Sequence, residues 1–441
     1  MKLLVIGGNP AGMSAASRVK RKSPETEVVV LEQSHEVSYG ACGLPYYIAG
    51  LNNDIELIRI RKIPEFEEAG IQVKAGTRAE AVDFQAKQVT CRKDSGEVFT
   101  ETYDKLLIAS GSSPKIPPIP GIRKRGILPL KTLEDARNIK ELLLAKPQSV
   151  VIVGGGYIGL EIAEACILQK VPQIHIVEAM DRLLNVFDPE FSEAARAELE
   201  SHGVRIHTGE RVTAFEGDDS VRQVRTDKGE YPADLVILSI GINPNTAFLG
   251  DEIRKLPNGA LITDTAMKTS VADVWAAGDC ASVHHKLLDR PVHIALGTYA
   301  NKQGRLAGDS ILGKPVCFQR ALGTSMLRCA GMEFAKTGLG EGECRSNGIP
   351  FKTRTVQARS HARYYPDPVM LTIKLCYDPE SHVLLGAQIM GKREAAVRIN
   401  TFAVAVDQAM TTEALGFVDL GYAPPFAGVW DAVAIAANAV K

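Results

Sequence analysis

The chain has 441 residues, enough for about three domains of ordinary size. Its 51 basic and 52 acidic side chains nearly cancel, which argues against a basic nucleic-acid surface or a polybasic membrane anchor. No apolar run reaches the about 18 residues needed to span a bilayer, and the eight cysteines, at positions 42, 91, 166, 280, 317, 329, 344 and 376, form no C-x-x-C pair and no zinc spacing. Reduced thiols, no metal site and a first strand directly after Met1 predict a cytoplasmic protein without a leader.

Leu3 to Ile6 reads as a buried strand entering Gly7-Gly8-Asn9-Pro10-Ala11-Gly12, followed by a helix over Met13 to Lys22 and a strand over Glu27 to Leu31. Gly7 permits a tight turn, Gly12 lets helix and strand pack closely, and the helix N-terminus offers N–H groups to a pyrophosphate. Glu32 follows Gly12 by 20 residues, the separation at which a carboxylate reaches an adenosine ribose. Gly7, Gly8, Gly12, Glu32 and Gln33 are therefore candidate cofactor contacts, although Asn9 replaces the middle glycine of the fingerprint.

Ser38-Tyr39-Gly40-Ala41-Cys42-Gly43-Leu44-Pro45-Tyr46-Tyr47 comes next. A free cysteine can be core filler, but Gly43 and Pro45 impose a special backbone that places Cys42 on a turn or at a helix start. Backbone N–H groups there stabilise a thiolate, so Cys42 reads as a redox cysteine.

Tyr103 to Ile108 is a further strand, ending in Ser110 and Gly111, and Pro117-Pro118-Ile119-Pro120-Gly121 reads as a linker because it cannot continue a sheet. Ser149 to Val153 then opens a complete G-x-G-x-x-G, with Gly154, Gly156, Tyr157, Ile158 and Gly159 as candidate contacts, and Glu178 lies 19 residues after Gly159. Two such units imply two dinucleotides. A strand over Leu235 to Ile240 ends at Gly241, and Val274 to Asp279 places a carboxylate at the start of the next element.

In this order the motifs resemble the FAD-dependent pyridine nucleotide-disulfide oxidoreductases, in which the Gly278-Asp279 pair would hold the flavin's ribityl or pyrophosphate portion. Position 47 is Tyr and position 37 is Val, so Cys42 lacks the second cysteine of the glutathione-reductase-like members. The chain thus resembles the single-cysteine branch. Pro10 stands where the oxidases and peroxidases of that branch carry histidine, and Cys42 to Tyr46, His361 to Pro366 and Asp419 to Phe426 resemble the coenzyme A disulfide and persulfide reductases.

That resemblance implies an α/β fold of two nested Rossmann-like domains plus a C-terminal α+β dimerisation domain: an FAD domain over residues 1–115 and 245–320, an NAD(P)H domain over 116–244, and a dimerisation domain over 321–441. It implies electron flow from NADH or NADPH through FAD to Cys42, which reduces a small disulfide, persulfide or polysulfide and carries coenzyme A as a mixed disulfide. Tyr364 and Tyr422 would be the paired catalytic tyrosines, with Tyr365 the alternative to Tyr364 and Tyr422 also near the cofactor. Ser14, Arg18, Arg21, Ser38, Asn301 and Trp430 match positions that contact coenzyme A, Trp430 from the other subunit of a homodimer. Lys20, Lys22 and Arg59 to Lys62 would add positive charge, the alternative being a solvated basic face. Glu178 favours NADH because a carboxylate repels a 2′-phosphate, while Arg182 argues the other way. The rival functions are an NADH oxidase or peroxidase cycling through a Cys42 sulfenic acid, and a non-catalytic flavin redox sensor.

Overall fold

The computed structural model describes residues 1–318 and 321–441, so the domain boundary expected at residue 320 lies outside the described residues. The first unit runs β1 (Lys2–Ile6), α1 (Pro10–Lys22), β2 (Glu27–Leu31), α2 (Leu44–Ile48), β3 (Ile71–Lys74) and β4 (Lys105–Ile108). The second runs β5 (Ile127–Pro129), β6 (Ser149–Val153), α3 (Tyr157–Leu168), β7 (Gln173–Glu178), β8 (Val204–Thr208) and β9 (Leu235–Leu238), after which β10 (Val274–Ala276) and α4 (Gly297–Ile311) return to the first.

The first sheet has the order β10-β4-β1-β2-β3, all parallel. β1, β2, β4 and β10 are mainly apolar because both faces are covered, while the edge strand β3 alternates buried Ile71 and Val73 with exposed Gln72. Leu3, Val5, Val28 and Val30 join one core with Ala15 and Val19 of α1, while Leu4, Ile6, Val29 and Leu31 join the core on the other side. The second sheet, β8-β7-β6-β9-β5, is likewise all parallel. An antiparallel ribbon of Ser112–Pro114 with Ile242–Pro244 joins the outgoing and returning chain between them.

Two sequence readings shift at their ends. The first helix begins at Pro10, since proline fixes a helical φ and needs no N–H partner at the first position. The strand expected to reach Ile240 stops at Leu238.

α4 packs on α1 through small residues: a Cβ at Gly304 would meet the Ala11 carbonyl oxygen at 2.2 Å, and one at Gly308 the Ala15 carbonyl oxygen at 3.0 Å. Larger residues would separate the helices and move the start of α4, which lies against the Cys42 turn.

The C-terminal portion is built on an antiparallel sheet of β11 (Ser325–Cys329), β12 (Met332–Gly338), β13 (Lys352–Arg359), β14 (Met370–Tyr377) and β15 (Leu384–Gly391), in the order β11-β12-β15-β14-β13. A short helix, α5 (Glu341–Ser346), follows β12, and the helices α6 (Ile399–Asp407) and α7 (Ala432–Asn438) bury Phe402, Val406 and Val433 in the same core as Leu371, Ile373 and Leu375. No helix among the described residues is long and apolar enough to cross a membrane.

Candidate active site

The first glycine turn is built as the fingerprint requires. Gly7 has φ +112°, and a Cβ there would lie 2.1 Å from the Ala109 carbonyl oxygen; a Cβ at Gly12 would lie 1.9 Å from that of Gly7. The Glu32 carboxylate accepts the N–H groups of Gly8 at 2.7 Å and Ser34 at 2.8 Å, which aims it along the rim of a cavity of about 750 Å³. Gly7, Glu32, Gln33, Ser110 and Asn245 line that cavity. Asn9 explains its own departure from the fingerprint: its Oδ1 accepts the Tyr39 N–H at 3.0 Å and so ties the Cys42 loop to the turn.

At the far end of this unit Asp279 accepts hydrogen bonds from Ser112 Oγ at 2.9 Å and Lys131 Nζ at 2.8 Å. Burial presses its carboxyl upward, but the Lys131 ammonium and the Ser112 hydroxyl outweigh burial and hold it below the usual carboxylate range. The cavity, its carboxylate rim and the glycine turn fit the adenosine and pyrophosphate of FAD, and Asp279 with Lys131 supplies polar groups farther along. Gly111, at φ +66°, and Gly241, at φ +99°, occupy turns that a side chain would strain.

The second turn repeats the first with one difference. A Cβ at Gly159 would lie 2.0 Å from the Gly154 carbonyl oxygen, whereas one at Gly156 meets nothing within 4 Å, the open approach that a pyrophosphate needs. Glu178 accepts N–H groups from Gly155 at 2.6 Å and Met180 at 2.7 Å. The Tyr157 phenol is bonded to Ser325 Oγ at 2.6 Å, and Ile158 is exposed at the same helix start. The buried Nε of Arg182 has no hydrogen-bond partner among the described residues.

Cys42 lies in a 3₁₀ turn, Ala41–Gly43, immediately before α2, and its side chain is exposed. Gly297, the first residue of α4, is close enough that a Cβ there would be 3.8 Å from the Cys42 sulfur. Ser38 begins this loop at φ +50°, its N–H bonded to the Gly8 carbonyl. The helix-start position was expected to favour the thiolate, yet the protein's own groups raise the Cys42 pKa: the atoms packed beneath the turn contribute most, then the carboxylates of Glu161 and Asp279, against a smaller opposing effect of Lys131.

Glu161 was missed by sequence reasoning. It lies on α3, in the second unit, and burial followed by repulsion from Glu164 pushes its carboxyl up to about 7. Two acids three apart in an otherwise apolar helix, Tyr157 to Leu168, were the available signal.

The Tyr364 and Tyr422 hydroxyls hydrogen-bond one another, while Tyr365 packs edge-on against His361, which separates the two candidates. This bond raises the Tyr422 phenol pKa. Both phenols are exposed, and neither hydrogen-bonds the Cys42 turn of its own chain among the described residues. Trp430 packs edge-on against Phe417 near an exposed apolar face that includes Phe426 and Val429.

The expected coenzyme A contacts divide. Ser14 and Asn301 meet across α1 and α4, with Asn301 Nδ2 donating to Ser14 Oγ at 3.1 Å. Arg18 spends its Nε and Nη2 on a bidentate pair with Asp309, at 2.7 to 3.0 Å. Arg21 is exposed and has no ion pair among the described residues. The supplementary charges are largely spent: Arg59 pairs with Glu36 and Glu56, Lys62 with Glu56, and Lys20 donates to the carbonyls of Pro24 and Thr26. Glu56 is near Arg59 and Lys62 in sequence, whereas Glu36 reaches Arg59 from a separate segment.

Residues 1–304 match the model of the pyridine nucleotide-disulphide oxidoreductases, and residues 329–434 that of their dimerisation domain. The chain belongs to this family, whose members use FAD and NAD(P)H. It is 38% identical to the NAD(P)H coenzyme A polysulfide/persulfide reductase of Pyrococcus horikoshii, over 100% of this chain and 98% of the relative. An NADH oxidase of Enterococcus faecalis is 33% identical, over 100% of this chain and 99% of the relative. Among solved structures, an NAD-dependent persulfide reductase from A. fulgidus superposes with a TM-score of 0.96 at 32% identity, covering 99% of this chain and 82% of that one.

Proposed function

We propose that this chain is an NAD(P)H-dependent flavoenzyme that reduces coenzyme A disulfide, coenzyme A persulfide or polysulfide through Cys42, acting as a cytoplasmic homodimer. The observation that carries this reading is an exposed thiol on the loop tied to the first glycine turn, against the first residue of α4 and with no disulfide partner among the described residues. The relatives named for coenzyme A-linked sulfur reduction support the acceptor class. Residues 1–115 and 245–320 would hold FAD, 116–244 the nicotinamide dinucleotide, and 321–441 the second subunit.

FAD, when bound, relays the electrons of NAD(P)H to sulfur. Glu32, Gln33 and Ser110 would hold its adenosine end and Asp279 its middle, while Glu178 orients the nicotinamide dinucleotide. Cys42, as thiolate, attacks the sulfur of the acceptor and expels a thiol that must be protonated. Burial and the Glu161 carboxylate, itself pushed up to about 7, both raise the Cys42 pKa, so protonation of Glu161 would relieve part of that rise. Tyr364 and Tyr422 of a second copy would protonate the leaving thiol, and the exposed Phe417, Phe426, Val429 and Trp430 favour burial against that copy. Ser14, Ser38, Arg21 and Asn301 would bind coenzyme A.

Intact mass measured without reductant tests the reading. The purified protein should carry one coenzyme A that dithiothreitol removes and that Cys42→Ser abolishes. A Cys42 found free, or only as sulfenic acid, in protein isolated from cells that contain coenzyme A would instead support an NADH oxidase.

A further inference from the structure

Beneath α5 lies a second pair of thiols that the chemistry of Cys42 does not use. Lys374 and Cys376 are two apart on β14 and therefore share one face of the sheet. α5 lies on that face in matching register: Glu341 reaches Lys374 Nζ at 2.5 Å, and Cys344, three residues on, places its sulfur 3.6 Å from that of Cys376. Both cysteines are buried, at 0% and 3% exposure, among Leu339, Phe351 and Leu385.

The same end of α5 grips the second dinucleotide unit. The Glu341 N–H donates to Asp188 Oδ1 at 3.0 Å, Lys374 Nζ lies 2.9 Å from Asp188 and 2.7 Å from Glu190, and the Asp188 N–H donates to Gln388 Oε1 at 2.8 Å. A change in how α5 is held on the sheet thus bears directly on the contact between these two parts of the protein.

We propose that Cys344 and Cys376 form an oxidisable dithiol, and that its disulfide staples α5 to β14 and tightens this clasp. Closing the contact to a sulfur–sulfur bond of about 2 Å needs a shift of about 1.5 Å, within reach of side-chain rotation on a helix of 6 residues. The oxidant is a low-molecular-weight disulfide, admitted by local opening of α5. The Cys344 thiolate attacks one of its sulfurs and releases a first thiolate, which takes up a proton. Cys376 then loses its proton to water and attacks the Cys344 sulfur, expelling the second thiol. Two protein thiols lose two electrons and two protons, and the small disulfide leaves as two thiols.

The test treats the intact holoenzyme with oxidised glutathione, blocks remaining thiols with iodoacetamide and maps the peptides. The expected result is a Cys344–Cys376 crosslink, two hydrogens lighter than the separate peptides and reversed by dithiothreitol, together with a melting temperature raised by at least about 2 °C. Cys344→Ser and Cys376→Ser should each abolish the crosslink and the rise while leaving NADH-dependent turnover within about twofold of native. Full alkylation of both cysteines, or glutathione on either one without a crosslink, would overturn the dithiol, and a crosslink without a thermal shift would overturn the staple. The peptide map of the native protein decides the first point even if a serine variant fails to fold.

Discussion

Replacing Glu178 with Ala separates recognition of the nicotinamide dinucleotide from the sulfur chemistry. In the native turn each carboxylate oxygen accepts one backbone N–H, from Gly155 and from Met180, and each keeps a lone pair for a ribose hydroxyl. Loss of one charge-assisted hydrogen bond to the ribose costs about 1.5 to 3 kcal/mol. At a factor of ten per 1.36 kcal/mol this lowers kcat/KM for NADH by about 10- to 150-fold. NADPH should lose little or gain, because the same change removes a charge facing its 2′-phosphate. The two freed N–H groups add a separate cost of stability, so melting temperature and FAD content are measured beside the steady-state rates with both nucleotides. A variant that keeps its FAD and stays within about threefold of native with NADH would refute the assignment of Glu178. Native protein equally efficient with NADPH would show that a cation such as Arg182, whose buried Nε has no partner among the described residues, overrides the carboxylate.

Cys42→Ser should bind FAD and accept electrons from NADH normally, because Glu32 and Asp279 would hold the cofactor independently of the thiol, but lose disulfide and persulfide turnover; substantial residual turnover would remove Cys42 from the mechanism. Tyr422→Phe should lower disulfide turnover by about the 10²-fold lower end of general-acid effects, less where Tyr364 substitutes, with flavin reduction unchanged; a Tyr364→Phe, Tyr422→Phe double variant with native turnover, or a fully active monomer, would exclude the pair. Glu161 gives a pH prediction with a definite sign. Its folded pKa of about 7 exceeds the unfolded value of 4.5, so the folded state binds the extra proton and this contribution to stability is lost as pH rises from 4.5 through 7. Glu161→Gln should flatten that decline in a thermal-melt series, and an unchanged pH profile would show that Glu161 is ionised in the folded protein.

Where the backbone conformation itself is local, the sequence was sufficient. Gly7, Gly12, Gly154 and Gly159 each stand where a Cβ would strike a carbonyl oxygen within 2.6 Å, and the intervals from Gly12 to Glu32 and from Gly159 to Glu178 are the contour of one helix and one strand. The apolar run Leu3 to Ile6 likewise read as a buried strand, and the cysteine turn, bounded by Gly43 and Pro45, was legible at once. Partnership was not. Arg18 sits on a basic helix face by spacing, but only the packing of α1 on α4 brings Asp309 to it across 291 residues. Glu161 lies in a different unit from the thiol whose pKa it raises, and Cys344 meets Cys376 because a helical interval of three lies over a strand interval of two. A residue's conformational limits act through its neighbours in the chain, so they can be read in order. The charge and solvation it meets come from elements that only the folded core brings together.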